Sequence, residues 1–514
     1  MIRLRRALLL LLTPALFASL ALLQPVPAAQ AATGYSLVAG GDRMAKPGKA
    51  AKLSVAFKQN GKAVKEATAW LQYLRGSAWV NEKKLTIRSG KATVSVKHPG
   101  SERTYRFEVA GKAISKQFVV RFAATKFAIS GSGYGHGVGL AQWGAYQLAR
   151  TGSTAADILT HYYPGTTLGT AFNNTRTVKV QVLGPPADSR TTTTITFPGG
   201  FTVSGDGKVL GSYASAGHLD IGVFGTKVTA KVTSGATLNK KLATSGRLTL
   251  TWTKGPVTVA GAQGSYQYGN LQVSVIKGRP NVVNELAMNT EYLYGIDEMP
   301  SSWGNAGGAA ALQAQAIAAR NYIINQAVRL NSQPGGVQAS CDCQVYDDTR
   351  SQNFVGWKKA GGIDNQPWVD AVNATIGAGQ VDVLRDPSSG IAETPYFASS
   401  GSGAGDGTAS NADVFGTAAL SYLSSVTDPA SVAAPGNPYL SWTHSLTQAQ
   451  LAKVLGTKAA LVSVEVTARY SGGLAKSLGY TTTGGKSVTV THTAEAWRTA
   501  LGLRGAWITK ISGR

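Results

Sequence analysis

Asn289-Thr-Glu-Tyr-Leu-Tyr-Gly-Ile-Asp-Glu-Met-Pro300, followed by Ser301-Ser302-Trp303, is the stretch on which the reading of this 514-residue chain turns. Glu298 stands just before Pro300, a residue suited to the first position of a helix because it lacks an N–H to satisfy and its φ is already helical. A carboxylate at such a turn is positioned by backbone and not by a long mobile element. The longest helical signal of the chain follows, over about Ala309 to Leu330. Advancing about 100° per residue from Leu312 puts Ala316, Ile323, Ile324, Ala327, Val328 and Leu330 on one side. Arg320 and Gln313 fall at the centre of that apolar stripe, and Asn321, Asn325 and Arg329 opposite it. Stranding an arginine's charge there is costly. Arg320 therefore either makes an internal ion pair, with Glu291 or Glu298 as partner, or lines a groove beside Glu298 together with Gln313.

Working outward, the chain before this segment changes character twice. Between Thr33 and Phe122, apolar and polar residues alternate in Ala51–Val55, Ala69–Tyr73, Ala92–Val96 and Tyr105–Val109. Turns such as Gln59-Asn60-Gly61 and Ser89-Gly90-Lys91 separate the runs. The pattern predicts an all-β, immunoglobulin-like sandwich as an accessory domain over residues 33–122. From Ser130 a glycine-rich turn leads into predicted helices over Leu140–Leu148 and Thr154–Tyr163, the second stopped by Pro164-Gly165. Strands return between residues 176 and 280, at Val178–Val182, Leu248–Trp252 and Leu271–Val275. Without regular βαβ alternation, residues 125–514 read as an α+β domain.

The N-terminus predicts the compartment. Arg3, Arg5 and Arg6 precede an apolar run from Ala7 to Leu23, and Ala29-Gln30-Ala31 reads as a cleavage site. A signal peptide over residues 1–31 is expected, and a protein secreted to the cell wall or the extracellular space, with no membrane span after signal cleavage. Hydrophobic residues are 43% of the chain and charged ones 15%, so it can bury a core and is not a disordered polymer. A net charge of +24 calls for anionic partners. The lysines are dispersed and the chain is read as exported, so anionic wall polymers are expected and nucleic acid is not. The two cysteines, Cys341 and Cys343, have no histidine near them in sequence and do not complete a four-ligand site. No metal or other cofactor is expected. The thiols either form a local disulfide or stay reduced.

Val283-Asn284-Glu285-Leu286, Glu291-Tyr292-Leu293-Tyr294-Gly295, Glu298-Met299-Pro300-Ser301-Ser302-Trp303 and Ala311 to Arg320, in that order, resemble the SpoIID/LytB family, the stage II sporulation protein D and amidase-enhancer group. Cys343–Tyr346, Phe397–Gly401, Tyr422–Val426 and Arg498–Leu503 extend the resemblance, whose core lies over residues 265–430. A second family signature is Gly133-Tyr-Gly-His-Gly-Val-Gly-Leu-Ala-Gln-Trp-Gly-Ala145, with Ile158-Leu159 and Tyr162-Tyr163-Pro164-Gly165. In the family this segment commonly closes the domain, after the stretch similar to Leu501–Ile511; here it comes first. The arrangement looks like a circular permutation and predicts that residues near 510 and 130 are neighbours. Gln313 stands where the family commonly has a lysine.

The resemblance implies a lytic transglycosylase acting on peptidoglycan glycan strands, with Glu298 as the catalytic acid. One carboxylate suffices there, first as acid on the glycosidic oxygen and then as base on the C6 hydroxyl of the muramic sugar, closing a 1,6-anhydro ring. Hydrolysis usually needs a second carboxylate at a defined separation. Glu298 must stay protonated near neutral pH, which requires desolvation by neighbours such as Met299 and Trp303. Arg320 and Gln313 are candidate substrate contacts. His136 either anchors its glycine turn or touches substrate, and Tyr396 and Ser399 either line the groove or belong to an exposed loop. The alternative is a non-catalytic wall-binding protein that activates an N-acetylmuramoyl-L-alanine amidase.

Overall fold

The computed structural model describes residues 34–173 and 176–514, so the expected leader over residues 1–31 lies outside the described residues. The chain divides into two compact units, one ending at Phe122 and the other running from Ala123 to Arg514 with Pro99–Ser101 added to it. No helix among the described residues is long and apolar enough to cross a membrane.

The first unit is all β. Period-two alternation does what it should: strand Ala51–Gln59 buries Ala51, Leu53, Val55 and Phe57 and turns Lys52 and Lys58 outward. Asn60 and Gly61 both have positive φ, as a tight hairpin turn requires, and connect that strand to Lys62–Ala63. All ten strands are hydrogen-bonded into one sheet, with Tyr35–Gly41 at one edge and Met44–Ala45 at the other. Its inward side chains, Phe57, Leu71, Ile87, Phe107 and Val120 among them, form a single core.

The second unit is mixed and mostly β. A seven-stranded sheet runs in the order 208–213, 201–205, 248–252, 270–276, 279–287, 177–183 and 345–346. A six-stranded sheet carries strands between residues 193 and 266. Helices α1 (Gln142–Arg150), α2 (Ala155–Tyr162), α3 (Ala309–Leu330), α4 (Trp357–Ala360) and α5 (Gln366–Asn373) lie close to their expected places where the sequence signalled them. Thr154 caps α2, accepting from the Asp157 amide while Asp157 returns a bond to the Thr154 backbone.

Helix α3 departs from its expected single apolar stripe. From Ala311 to Asn321 every residue except Gln313 is buried, on all sides of the helix. Alanines at 311, 314, 316, 318 and 319 let α1, α2, α5 and the strand Gln380–Arg385 approach closely around it, which makes it a core helix. Asn321, placed by the angular reading on the polar side, is fully buried. Its amide donates to the Leu384 and Ala392 carbonyls at 2.7 and 3.0 Å and accepts the Leu384 N–H at 3.0 Å. Val328, placed on the apolar side, is 57% exposed.

The ends of this unit meet. Strand Lys126–Ser132 lies between Trp442–Thr447 and Trp507–Gly513, with Ile129 opposite Ile511 and Ser130 opposite Lys510.

Candidate functional site

The Glu298 turn is built by pairing with a second loop. Asp297 N–H donates to the Asn353 carbonyl, the Asn353 amide donates back to the Asp297 carbonyl, and Val355 N–H donates to Gly295, each at 2.8 Å. Gly295 is needed here, since a Cβ would stand 2.4 Å from the Phe354 ring. Pro300 occupies the cap position before the 3₁₀ turn Ser301–Ala306 and not the first helical position expected of it. Met299 is buried, and Trp303 is buried against α1, stacked on Tyr146 at 4.3 Å and edge-on to Trp143 at 4.8 Å.

The Glu298 side chain is half-buried, and its Oε1 accepts the Asn353 backbone N–H at 2.7 Å. Burial pushes the carboxyl above the usual glutamate range. The Asn353 amide and the Tyr396 hydroxyl, by bonding to the charged form, pull it back, and the Asp297 charge pushes it up. Tyr396 is held in turn: Gln352 donates to its hydroxyl at 3.0 Å and accepts from the Tyr292 hydroxyl at 2.7 Å. Tyr292 and Tyr322 also lie close enough to feel the Glu298 charge. Three tyrosines thus stand near the acid, and Gln352 joins two of them. The neighbouring carboxylate, Asp297, is committed elsewhere, to the Lys359 ammonium at 2.9 Å.

The glycine-rich segment supports this pocket from behind. Leu140 and Ala141 pair in parallel with Tyr396 and Phe397, and Tyr134 exchanges backbone bonds with Ser399 at 2.9 and 3.1 Å. Gly139 has φ +73°, and a Cβ there would meet the Pro395 carbonyl at 2.1 Å. The glycines allow two backbones to touch along the strand that carries Tyr396.

Of the residues expected at the site, Tyr396 stands beside Glu298, and others do not. Arg320 is fully buried, and its guanidinium donates to the Asp382 carbonyl at 2.9 Å and to Thr375 Oγ1 at 2.8 Å. Burial lowers its pKa to about 10 against the opposing pull of the Asp382 carboxylate. It ties α3 to the strand beside it, which corrects its reading as a groove residue and as a partner of Glu291 or Glu298. Ser399 is likewise buried, donating to the Ser400 carbonyl at 3.1 Å and accepting from Asn437 at 2.9 Å, so it has no surface for a ligand. His136 Nδ1 accepts the Val138 N–H at 3.0 Å, and the Tyr396 backbone lies close enough to favour the charged ring. With Phe397 and Phe415 about its ring, burial holds its pKa down to about 4, so it is a neutral anchor of its glycine turn. Gln313 is half-buried on α3 and is not among the partners of Glu298.

Sequence reasoning missed Asn353, Gln352, Tyr292, Tyr322 and Lys359. The first two stand in a loop without periodicity, and only the Tyr in Glu291-Tyr292-Leu293 belonged to a quoted motif. It also missed Asp347, whose carboxyl is pushed up to about 7 by burial and then by Asp348 beside it. Cys341 and Cys343 form a disulfide, and Asn281 donates to the Cys341 carbonyl at 2.8 Å. Among the described residues no cluster of three or more His, Cys, Asp or Glu side chains is arranged to hold a metal ion.

An α+β unit that presents one tyrosine-lined, half-buried acid on a backbone turn is the class this geometry defines. Residues 277–381 match the family model described as stage II sporulation protein, SpoIID. A stretch of 54 residues is 48% identical to a protein named amidase enhancer from Bacillus subtilis (strain 168), covering 10% of this chain and 8% of that protein. Another of 82 residues is 35% identical to an uncharacterized protein of Brachyspira hyodysenteriae (strain ATCC 49526 / WA1), covering 15% of this chain and 22% of the relative. The chain therefore spans less than a quarter of the length of either relative. Residues 277–381 are thus a SpoIID domain, and the similarity to the amidase enhancer supports a place in the SpoIID/LytB group.

Proposed function

We propose that this protein acts in the cell wall, as a lytic transglycosylase that cuts peptidoglycan glycan strands with Glu298 as its acid and base. The observation that carries the reading is the state of that carboxyl. Burial raises its pKa, the Asn353 amide and the Tyr396 hydroxyl orient it, and the neighbouring Asp297 is paired with Lys359. Protonated Glu298 donates to the glycosidic oxygen; the carboxylate left behind accepts the proton of the C6 hydroxyl as that oxygen closes on C1. The pair of events needs one group that changes role, not two groups across the sugar. The signal at residues 1–31, secretion, the affinity of a +24 chain for anionic wall polymers, and a first unit of immunoglobulin-like type serving as spacer or wall anchor belong to the same proposal.

Digestion of purified, denuded peptidoglycan by the native protein and by Glu298→Gln, followed by mass spectrometry, tests it. Anhydro-muramic ends made by the native protein and lost in the variant are expected; reducing ends would mean hydrolysis. A second reading is favoured by the similarity to a protein named amidase enhancer: the chain binds wall and activates an N-acetylmuramoyl-L-alanine amidase. Intact glycan with retained binding, and faster stem-peptide release by an added amidase, would favour it.

A further inference from the structure

We infer that Lys359 is the positioning residue of the Glu298 site: its one ammonium clamps the residues on both sides of the acid and so fixes where the carboxyl points. The side chain of Lys359 is 4% exposed, an expensive place for a charge unless it is well bonded. Its Nζ donates to the Met299 carbonyl at 2.6 Å and to Asp297 Oδ1 at 2.9 Å. Both partners are neighbours of Glu298 in sequence, one before and one after.

The lysine itself is rigidly mounted. It lies on α4, whose cap is Gly356 with φ +59°, a position where a Cβ would stand 2.4 Å from the Ser265 carbonyl. The Trp368 ring lies 5.8 Å from Nζ, and the Trp368 indole donates to the Leu293 carbonyl at 2.9 Å, upstream on the same turn. The Asp297 carboxylate is nearly half exposed, at 45%, so the ion pair by itself adds little stability. What the ammonium holds is the geometry of three consecutive residues. The Asn353 side meets the same turn from across, through the bonds at Asp297 and at Glu298 Oε1. Glu298 is gripped on one side and read on the other.

That the clamp serves catalysis rests on the reading of Glu298 as the reacting acid; that it fixes the carboxyl does not. The test therefore has two readouts, on full-length protein: glycan cleavage, and the backbone amide of Asn353, labelled with 15N, which reports Glu298 directly. The native Asn353 shift should titrate with Glu298, and Glu298→Gln should abolish that step. In Lys359→Met the Asn353 amide is expected to exchange at least about tenfold faster while exchange elsewhere is unchanged. In the same variant kcat falls by about 100-fold with KM little changed. Lys359→Arg restores both. Asp297→Asn, which keeps the Met299 contact, shows a smaller change in the same direction and carries the test if Lys359→Met does not fold. A native-like Asn353 titration and exchange in folded Lys359→Met, or in Asp297→Asn should the methionine variant fail, overturns the inference. Uncut glycan with native protein would overturn the proposed function alone, and leaves the amide readout to decide the clamp.

Discussion

Ser130 faces Lys510 across one antiparallel ladder, so the strand that opens the second unit is zipped to the strand that ends it. The strand Lys126–Ser132 is the central one of three, and Trp507 and Ile508 on its partner are fully buried. Gly131, Gly133 and Gly137 leave room for the Trp507 ring or backbone within 3.1 Å of where a Cβ would stand. Removal of Trp507–Arg514 strips one hydrogen-bonding edge of that strand and uncovers Phe397, whose ring lies 5.9 Å from Trp507. The truncated protein is expected to lose its cooperative thermal transition or drop well below native Tm. An unchanged melt by calorimetry would contradict the zipped arrangement.

Tyr396→Phe separates the acid's pKa from its placement. The hydroxyl favours the ionised form of Glu298, so removing it leaves burial less opposed and raises the carboxyl pKa further. Glu298 then stays protonated to higher pH. The alkaline limb of the pH–rate profile is expected to move upward in pH, with a lower maximal rate because the carboxyl loses an orienting bond. A limb that moves to lower pH would show that the hydroxyl does not donate to this acid.

Arg320→Ala is a stability variant and not a binding one. It leaves the Thr375 hydroxyl and the Asp382 carbonyl short of a donor inside the core and opens a cavity on α3. A loss of about 3 kcal/mol or more is expected in urea unfolding, from the broken buried charge contact and the lost packing. Glycan affinity of the folded fraction should be native. A full-strength fold with weakened binding would restore Arg320 to the groove.

His136 links stability to acid. Its folded pKa, about 4, lies below the ordinary value of 6.5, so the unfolded chain takes up this proton first as pH falls. The contribution is complete above about pH 6.5 and is lost on the way down through about pH 4. Unfolding free energies of native protein and His136→Gln, measured at several pH values across that window, should converge as the solution is acidified. A constant gap between them would mean that the ring is not held neutral.

The turn that carries Glu298 was legible because it is local: an acid, a proline and a helix signal lie within a few residues. The length of α3 was legible for the same reason. Its orientation was not, because a helix packed on every side has no polar face for an angular count to find, and Asn321 and Arg320 are buried by partners more than fifty residues away in sequence. The pairing of the two ends came from the order of motifs and is seen in the ladder at Ile129 and Ile511. Gln352, Asn353 and Lys359 escaped notice because a loop residue that acts through its backbone, or through one buried amine, leaves no period in the sequence. His136 was noticed, but its glycine neighbours could signal a ligand or another backbone equally well, and the structure supplies the second.

The parallel pairing of Leu140 and Ala141 with Tyr396 and Phe397 also sets a timetable. Glu298 leaves the ribosome long before the tyrosine that aims it, and the bench on which that tyrosine rests was made earlier still. A chain halted anywhere between carries the acid without its aim. The hydroxyl that orients this carboxyl is therefore supplied only by the later part of the unit, resting on its earliest part.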